Sequence, residues 1–586
     1  MLLFYDIEVF KYDALVVFKD INNNVVAKFW STRGRTLKEE ESGFEGIREL
    51  IKNNVLVGYN NFHYDDFILT AMMDDVKSLH LYDYNNTIIN YSGSSLTKDS
   101  DINSIDVMQQ ISTSFPSLKL IEGNMGKSIV ESSVDFKIGR PLTDKQREEV
   151  ETYCEYDVES TIAIYKLREK SYFATKTYLI KLLPEDKWAA ATRWNTTTIS
   201  GMILTNGKPV NKWPTHHVPA ECWRNVPGIP SDVWDMWESA LEEENLSRKG
   251  ASKTISAFDC NVVFGLGGLH GAPTKPCRYG RVLHADVGSM YPSIICKLNA
   301  LDDATEIYNS IREERLRIKH IDKVKAGALK LILNSVYGNF KNKYSTLYNP
   351  RAGATVCIYG QIALFKLCTA LHEAGYKVIN ANTDGVVFVE DTDLGDTYNT
   401  ICREWEKEFS PLILETDDYD GWIQKDVNNY VAIRGDEIEV KGGEVNKYHE
   451  NKYFNNNDCR IVQIGVVEKL VNGTEPYKTL LRHLHEPLLW QYVLKAGSTF
   501  AGTCDQNGQM MQKVNRVFAC NDSVEFTKLY KTRTGEDFIN FPDAPERMFL
   551  WNDDVDKLAD RFADIVDLNH YNELINKKLQ GWPKCT

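Results

Sequence analysis

Two short stretches place carboxylates where they could hold cations. Residues 285–295 read A-D-V-G-S-M-Y-P-S-I-I: a β-rich lead-in, Arg281-Val282-Leu283-His284, delivers Asp286, and Gly288-Ser289 then turns the chain towards Tyr291 and Pro292. The result is a metal ligand beside an aromatic wall. Downstream, Asn382-Thr383-Asp384-Gly385 interrupts the β-rich run 377–389. Asp-Gly between two such runs is a hairpin signal, so Asp384 is expected at a hairpin tip as the partner of Asp286. Between the two lies K-L-I-L-N-S-V-Y-G, residues 330–338.

The elements that must position these groups follow from periodicity. Residues 305–319 and 322–337 have helical character, with Arg315 and Lys319 at i and i+4 on the first and Lys330, Asn334 and Tyr337 in an i, i+4, i+7 stripe on the second. The stripe interrupts the apolar face Leu329-Ile332-Leu333-Val336. It offers cations for a triphosphate and a flat surface for a base pair. Residues 312–343 carry nine Lys and Arg against three Asp and Glu, whereas the whole chain of 586 residues has a net charge of -14.

A second acidic set lies at the amino-terminal end. Residues 1–9 read as a central strand in which Asp6 and Glu8, two apart, share one face. A further apolar run, 55–59, leads to Asn61, Tyr64 and Asp65 at a strand-to-helix junction, where Asp66 is expected to be a solvated neighbour or an N-cap. Residues 144–171 read as a long helix that puts Tyr153 and Asp157 on one face.

In this order, D-x-E, N-x-x-Y-D and Y-x-x-x-D resemble the three motifs of the DEDDy, ribonuclease-H-like exonucleases of proofreading DNA polymerases. With the three later motifs, the chain resembles a family B DNA polymerase of the compact bacteriophage kind over roughly residues 1–450. The resemblance implies a multidomain α/β protein. A ribonuclease-H-like 3′-to-5′ exonuclease domain would span 1–185, a linker and first part of the palm 186–300, fingers 301–345, the second part of the palm 346–450, and a thumb and C-terminal region 451–586.

The roles implied are specific. Asp286, with Val287 beside it, and Asp384 would hold two Mg²⁺ ions in the polymerase site, and Mn²⁺ could substitute. Lys330 would bind the incoming triphosphate with Arg315 and Lys319 as helpers. Tyr291 would close on the sugar and exclude a 2′-hydroxyl, while Asn334, Tyr337 and Gly338 border the nascent base pair. In the exonuclease site Asp6, Glu8, Asp65 and Asp157 would hold two further ions roughly 4 Å apart, and Tyr153 would orient the attacking water. Asn61, Tyr64, Tyr430 and the glycines Gly267 and Gly268 of F-G-L-G-G-L-H-G are the implied DNA contacts, and Ser117-Leu118-Lys119 matches a connecting region.

Three departures stand out. The family's Asp-Thr-Asp-Ser is Asn382-Thr383-Asp384-Gly385 here, its Tyr-x-Gly-Gly tyrosine falls on Gly265, and its Lys-x-Tyr element falls on Asn428-Asn429-Tyr430 without the lysine, leaving Lys425 or Lys441 to supply a cation. Only 38 residues lie between Tyr291 and Lys330 and 43 between Gly338 and Asn382, largely a helix expected over 356–374. That leaves no room for the two insertions of protein-primed relatives and favours a nucleic-acid primer. A nuclease with a decayed polymerase half, a polymerase of the protein-primed subclass and a non-enzymatic scaffold are the alternatives.

Composition bounds the rest. The length implies three or four domains. Twelve cysteines without a C-x-x-C pair read as free thiols in a reducing compartment rather than a disulfide frame or zinc site. No signal peptide or apolar run of about 18 residues is evident, so a cytoplasmic, membrane-free monomer is expected, with primer-template DNA, dNTPs and accessory replication proteins as partners. The tryptophans of 186–280 read as core, with an amphipathic helix over 234–245. Helices are expected over 476–495 and 553–579.

Overall fold

The computed structural model describes residues 1–36, 44–91, 98–99, 101–242, 251–454, 459–533 and 537–584. The chain is mixed α/β and forms two compact units. The first comprises Met1–Asn195, Lys452–Cys459 and His483–His570; the second comprises Thr196–Asn451, Arg460–Arg482 and Tyr571–Thr586.

The first unit is built on a five-stranded sheet in the order Val25–Ser31, Ala14–Lys19, Leu2–Val9, Val55–Gly58, Ser104–Asp106. Its central strand, Leu2–Val9, is antiparallel to Ala14–Lys19 and parallel to Val55–Gly58. That strand is apolar on both faces because both are covered. Leu3, Tyr5, Ile7 and Val9 pack with Ile68, Leu69 and Met72 on one side. Phe4 packs with Val150, Cys154, Val158 and Ile162 of helix Asp144–Arg168 on the other. Period-2 alternation therefore turns Asp6 and Glu8 towards that helix. A capping box fixes the helix start: Gln146 N donates to Thr143 Oγ1, and Thr143 N donates to Gln146 Oε1. Such a cap contributes about 1 kcal/mol.

The stretch 451–586, expected as one region, is divided between the units. Its part His483–His570 belongs to the first unit and carries two small sheets, one of Tyr492–Lys495, Val514–Ala519 and Met548–Leu550 and one of four short strands. The fully buried guanidinium of Arg516 attaches it to the rest of the unit by donating to the carbonyls of Gly123 and Lys127, and also donates to Asp553 O within the same part. Ile129 N donates to Asn552 O at 2.7 Å, and Val493 fills the space that a side chain at Gly123 would need.

The helices expected at 476–495 and 553–579 are shorter than their periodicity indicates. The first ends at Arg482, before Pro487, which lacks a backbone donor, and Tyr492–Lys495 is a strand. The second is broken into Val555–Arg561, Phe562–Ile565 and Leu568–Leu579, with Val566 diverted to a β-bridge with Cys520.

The second unit centres on a seven-stranded sheet in the order Leu414–Tyr419, Val282–Val287, Gly385–Val389, Val378–Asn382, His270–Ala272, Cys260–Gly265, Ser252–Ala257. Helix Pro350–Glu373 packs on Val378–Asn382 and Gly385–Val389. It starts earlier than expected because Pro350 occupies the first turn and Asn349 accepts from Ala352 N. It is also apolar and long enough to cross a membrane, contrary to the expectation of no such run, but 83% of its most apolar window is buried inside the protein.

Helices Ala304–Ile318 and Lys323–Asn339 pair with each other, the second capped by Asp322 accepting from Lys325 N. The Trp-rich helix spans Ser231–Leu241, with Trp234 and Trp237 buried as expected; residues 243–245 lie outside the described ones. The described cysteines are all free and mostly buried; Cys585 lies outside the described residues.

Candidate active sites

In the first unit, a cavity of about 590 Å³ is lined by Asp6, Glu8, Asp65 and Asp157 together with Tyr64 and Ser117. Three elements bring the carboxylates together. Asp6 and Glu8 lie on the central strand, Asp65 is the first residue of helix Asp65–Met73, and Asp157 projects from Asp144–Arg168. Burial raises all four, and mutual negative charge raises Asp6, Glu8 and Asp65 further. Removing water from several carboxylates in one place is costly unless cations join them.

One internal cation is present. Lys119 Nζ pairs with Asp157 and with Glu122, the latter at 3.4 Å, and lies 4.6 Å from the Tyr153 ring centroid. Burial, and then the neighbouring Asp157 charge, raise the Tyr153 hydroxyl. The donor atoms of Asp6, Glu8 and Cys154 lie within 4.8 Å of one another, a spacing that could hold a metal ion.

Two expectations at this site change. Asp66 is not solvated: it is fully buried and accepts from Tyr5 Oη at 2.6 Å, Ser104 Oγ at 2.7 Å and Asn61 Nδ2 at 3.0 Å, with Arg193 paired to it at 2.9 Å. Asn61 is thereby turned into the core, and its neighbour Asn60 lines the cavity instead. Tyr64 does line the cavity, its hydroxyl donating to Asn85 at 2.6 Å.

In the second unit, a cavity of about 450 Å³ collects nearly every residue singled out around the later motifs. Asp286, Val287, Tyr291, Arg315, Lys319, Lys330, Asn334, Tyr337 and Asp384 line it, and Gly338 does not. The sheet register explains why the two aspartates meet. Asp286 pairs with Gly385 across antiparallel strands, and Val287 N donates to Asp384 O at 2.7 Å. Burial first, then Asp384 and Glu415, push Asp286 up to about 6. Asp384 is raised by burial while Lys441 and Lys330 oppose the shift.

The remaining walls are fixed by specific contacts. Ser289 adopts a left-handed conformation (φ 57°) and its hydroxyl accepts from Arg315 Nη1 at 2.9 Å. The rings of Tyr291 and Tyr337 stand 4.7 Å apart, and Gly360 of the core helix leaves the room that Tyr291 fills. Tyr337 Oη donates to Leu266 O at 3.2 Å.

Glu415 is the functional candidate that the motifs did not disclose. It lies opposite Asp286 in register, lines the cavity and accepts from Lys319 at 3.1 Å. The departures from the family pattern also acquire physical reasons. Asn382 Nδ2 donates to Val427 O at 3.2 Å, so the amide is engaged by the 427–428 turn. A Cβ at Gly385 would come within 2.4 Å of His284 Nε2 and 3.2 Å of Asp286 Oδ1, so a serine has no space here. His284 itself is held neutral, pushed down to about 4 by burial.

Lys425 is paired with Glu444, whereas Lys441 faces the aspartates electrostatically and lies opposite Tyr430 in register. Tyr430 stacks on Trp422 at 4.3 Å. Gly268 (φ 134°) touches Thr383, so its lack of a side chain permits the approach of the Asp384 hairpin; Gly267 borders open space.

No family model and no curated protein matches the chain. Among solved structures it is similar to the family B DNA polymerase from the hyperthermophilic archaeon Pyrobaculum calidifontis, with a TM-score of 0.42 and 13% identity over 99% of this chain and 77% of that one.

Proposed function

We propose that this chain is a metal-dependent nucleotidyltransferase coupled to a phosphodiesterase. More particularly, it is a template-directed DNA polymerase of the family B bacteriophage kind, with palm, fingers and thumb, and with a ribonuclease-H-like proofreading exonuclease in its first unit. The observation that carries the reading is the cavity of the second unit, where Asp286 on its strand meets Asp384 in the turn of the adjacent hairpin, in one lining with Lys330, Arg315 and Lys319 and with Tyr291 and Tyr337 as a wall.

The donor set is all oxygen at the tip of the sheet, which suits Mg²⁺ with Asp286, Asp384 and the Val287 backbone as its holders. Bound there, two ions supply Lewis acidity to the primer 3′-hydroxyl and to the leaving pyrophosphate. The residues of the chain do the positioning. Lys330, Arg315 and Lys319 bind the triphosphate, and Tyr291 closes against the sugar and disfavours a ribonucleotide. Asn334 and Tyr337 border the base pair. The primer oxygen forms its bond to the α-phosphorus as the α–β bond breaks, so catalysis is chiefly alignment and electrostatics.

In the first unit Asp6, Glu8, Asp65 and Asp157 would hold the corresponding ions and Tyr153, beside Lys119, would orient water. Extension of a 5′-labelled DNA primer with Mg²⁺, with and without dNTPs, tests both activities. Template-length product that disappears in Asp384→Ala, and shortening without dNTPs that disappears in Asp6→Ala/Glu8→Ala, are expected. Shortening under every condition would instead identify a nuclease whose polymerase half has decayed, the reading that Asn382 favours.

A further inference from the structure

A cation contributed by the distant part of the chain reaches the wall of the first cavity, and a second stands near it. Lys495 ends strand Tyr492–Lys495, and its ammonium donates to Ser117 Oγ at 3.0 Å, a residue of the cavity wall. In register it faces Val514, and Lys513 stands one residue before that partner; Ala496 N donates to Lys513 O. Both lysines are exposed, and Lys513 is near enough to help burial push Lys495 down.

Among the described residues neither ammonium forms an ion pair. The nearby Glu131 carboxylate is spent on backbone donors, accepting from Lys513 N at 2.8 Å and Val514 N at 3.4 Å. Two like charges held near one another without an ion-pair partner repel, an arrangement that an anion relieves.

A third group indicates what kind of anion. Phe115, in the same cavity wall, is 70% exposed and sits at φ 47°, a conformation strained for an aromatic residue. An exposed ring beside paired cations is the composition of a single-strand site, in which a base stacks while ammonium groups follow the phosphates.

We propose that Lys495 and Lys513 grip the phosphodiester backbone of single-stranded DNA, with Phe115 under a base, and so hold the strand whose 3′ end enters the Asp6–Asp157 cavity. The proposal rests on the hydrolytic reading of that cavity. It gives the 483–570 segment a working part in substrate handling.

The test separates strand grip from chemistry. Anisotropy of a labelled oligothymidylate, measured without divalent cations, reports binding, and hydrolysis with Mg²⁺ is followed on the same strand and on the p-nitrophenyl ester of thymidine 5′-phosphate, too small to reach the rim. Lys495→Ala/Lys513→Ala is expected to lower the slope of log affinity against log salt by about 1.4, so that the parent loses about sevenfold more affinity than the variant between about 50 and about 200 mM salt. Strand degradation falls in parallel and ester hydrolysis is unchanged. Lys495→Arg/Lys513→Arg retains the slope.

An unchanged slope in the alanine variant overturns the proposal, and so does a matching loss of ester hydrolysis, because the lysines would then serve the fold. A parent that binds the strand with full slope but cleaves neither substrate sinks the hydrolytic reading alone, and the slopes still decide the lysines.

Discussion

The two cavities solve opposite charge problems. The first gathers four carboxylates around one internal ammonium, Lys119. The second has two aspartates, with Glu415 on its edge, facing Lys330, Lys319 and Arg315, and Lys441 within electrostatic range. A phosphodiester brings a single negative charge, so a site that cuts one can devote its own charge to holding cations. A triphosphate brings several, and carboxylates enough for a cage would repel it; lysines and arginines must share the work. The carboxylate-to-cation balance of each cavity thus matches the substrate assigned to it.

The comparison breaks most sharply at the carboxylates. Asp384→Ala should lower primer extension by about a thousandfold or more, as loss of several kcal/mol of metal-borne stabilisation implies, and leave degradation intact; Asp6→Ala/Glu8→Ala should do the reverse. A variant that loses both activities would mean the cavities do not work separately.

Removal of a cation comes next. Lys330→Ala removes a charge-assisted contact of about 2–3 kcal/mol, so extension efficiency should fall by up to about a hundredfold, with dNTP dependence affected and single-strand degradation unchanged. Single-turnover kinetics over a dNTP series gives the measurement.

Gly385→Ser restores the residue usual in the family at a position where His284 leaves no space. Overpacking of this kind costs about 1–3 kcal/mol, and extension should drop about tenfold as Asp286 is displaced. His284→Ala in the same chain should recover much of the loss. Failure of that rescue would show that the histidine is not the obstacle.

The smallest effect is on stability. Asp286, raised to about 6 from a free value of about 4, favours the metal-free fold fully below about pH 4, and that contribution is lost as pH rises through about 6. Calorimetry should therefore find Mg²⁺ stabilisation absent near pH 4 and present at neutral pH, about 2.7 kcal/mol when the ion is at a hundred times its dissociation constant. Equal stabilisation at both pH values would separate the effect from the aspartates.

What the sequence made legible was local. Asp6 and Glu8 share a face because a strand has period 2, Arg315 and Lys319 because a helix has period 3.6, and Asp384 reaches a turn because Asp-Gly favours one; the described structure has each arrangement. Glu415 was hidden in L-E-T-D-D-Y, where only pairing with Asp286 distinguishes it from the other acids. Asp66 looked like a surface neighbour because Tyr5, Ser104 and Arg193, which satisfy it, are scattered along the chain. The shortened helices have the same cause: Tyr492–Lys495 is extended because Val514–Ala519 pairs with it, and no window of residues contains that partner.

Arg516 has a consequence in time. The carbonyls it binds, Gly123 and Lys127, belong to a helix and loop made nearly 400 residues earlier. During synthesis that pocket waits without its guanidinium until the nearly 400 residues between have been made. The unit that holds Asp6, Glu8, Asp65 and Asp157 is thus begun long before it can be finished, so a chain released before Arg516 would carry these carboxylates on an incomplete support.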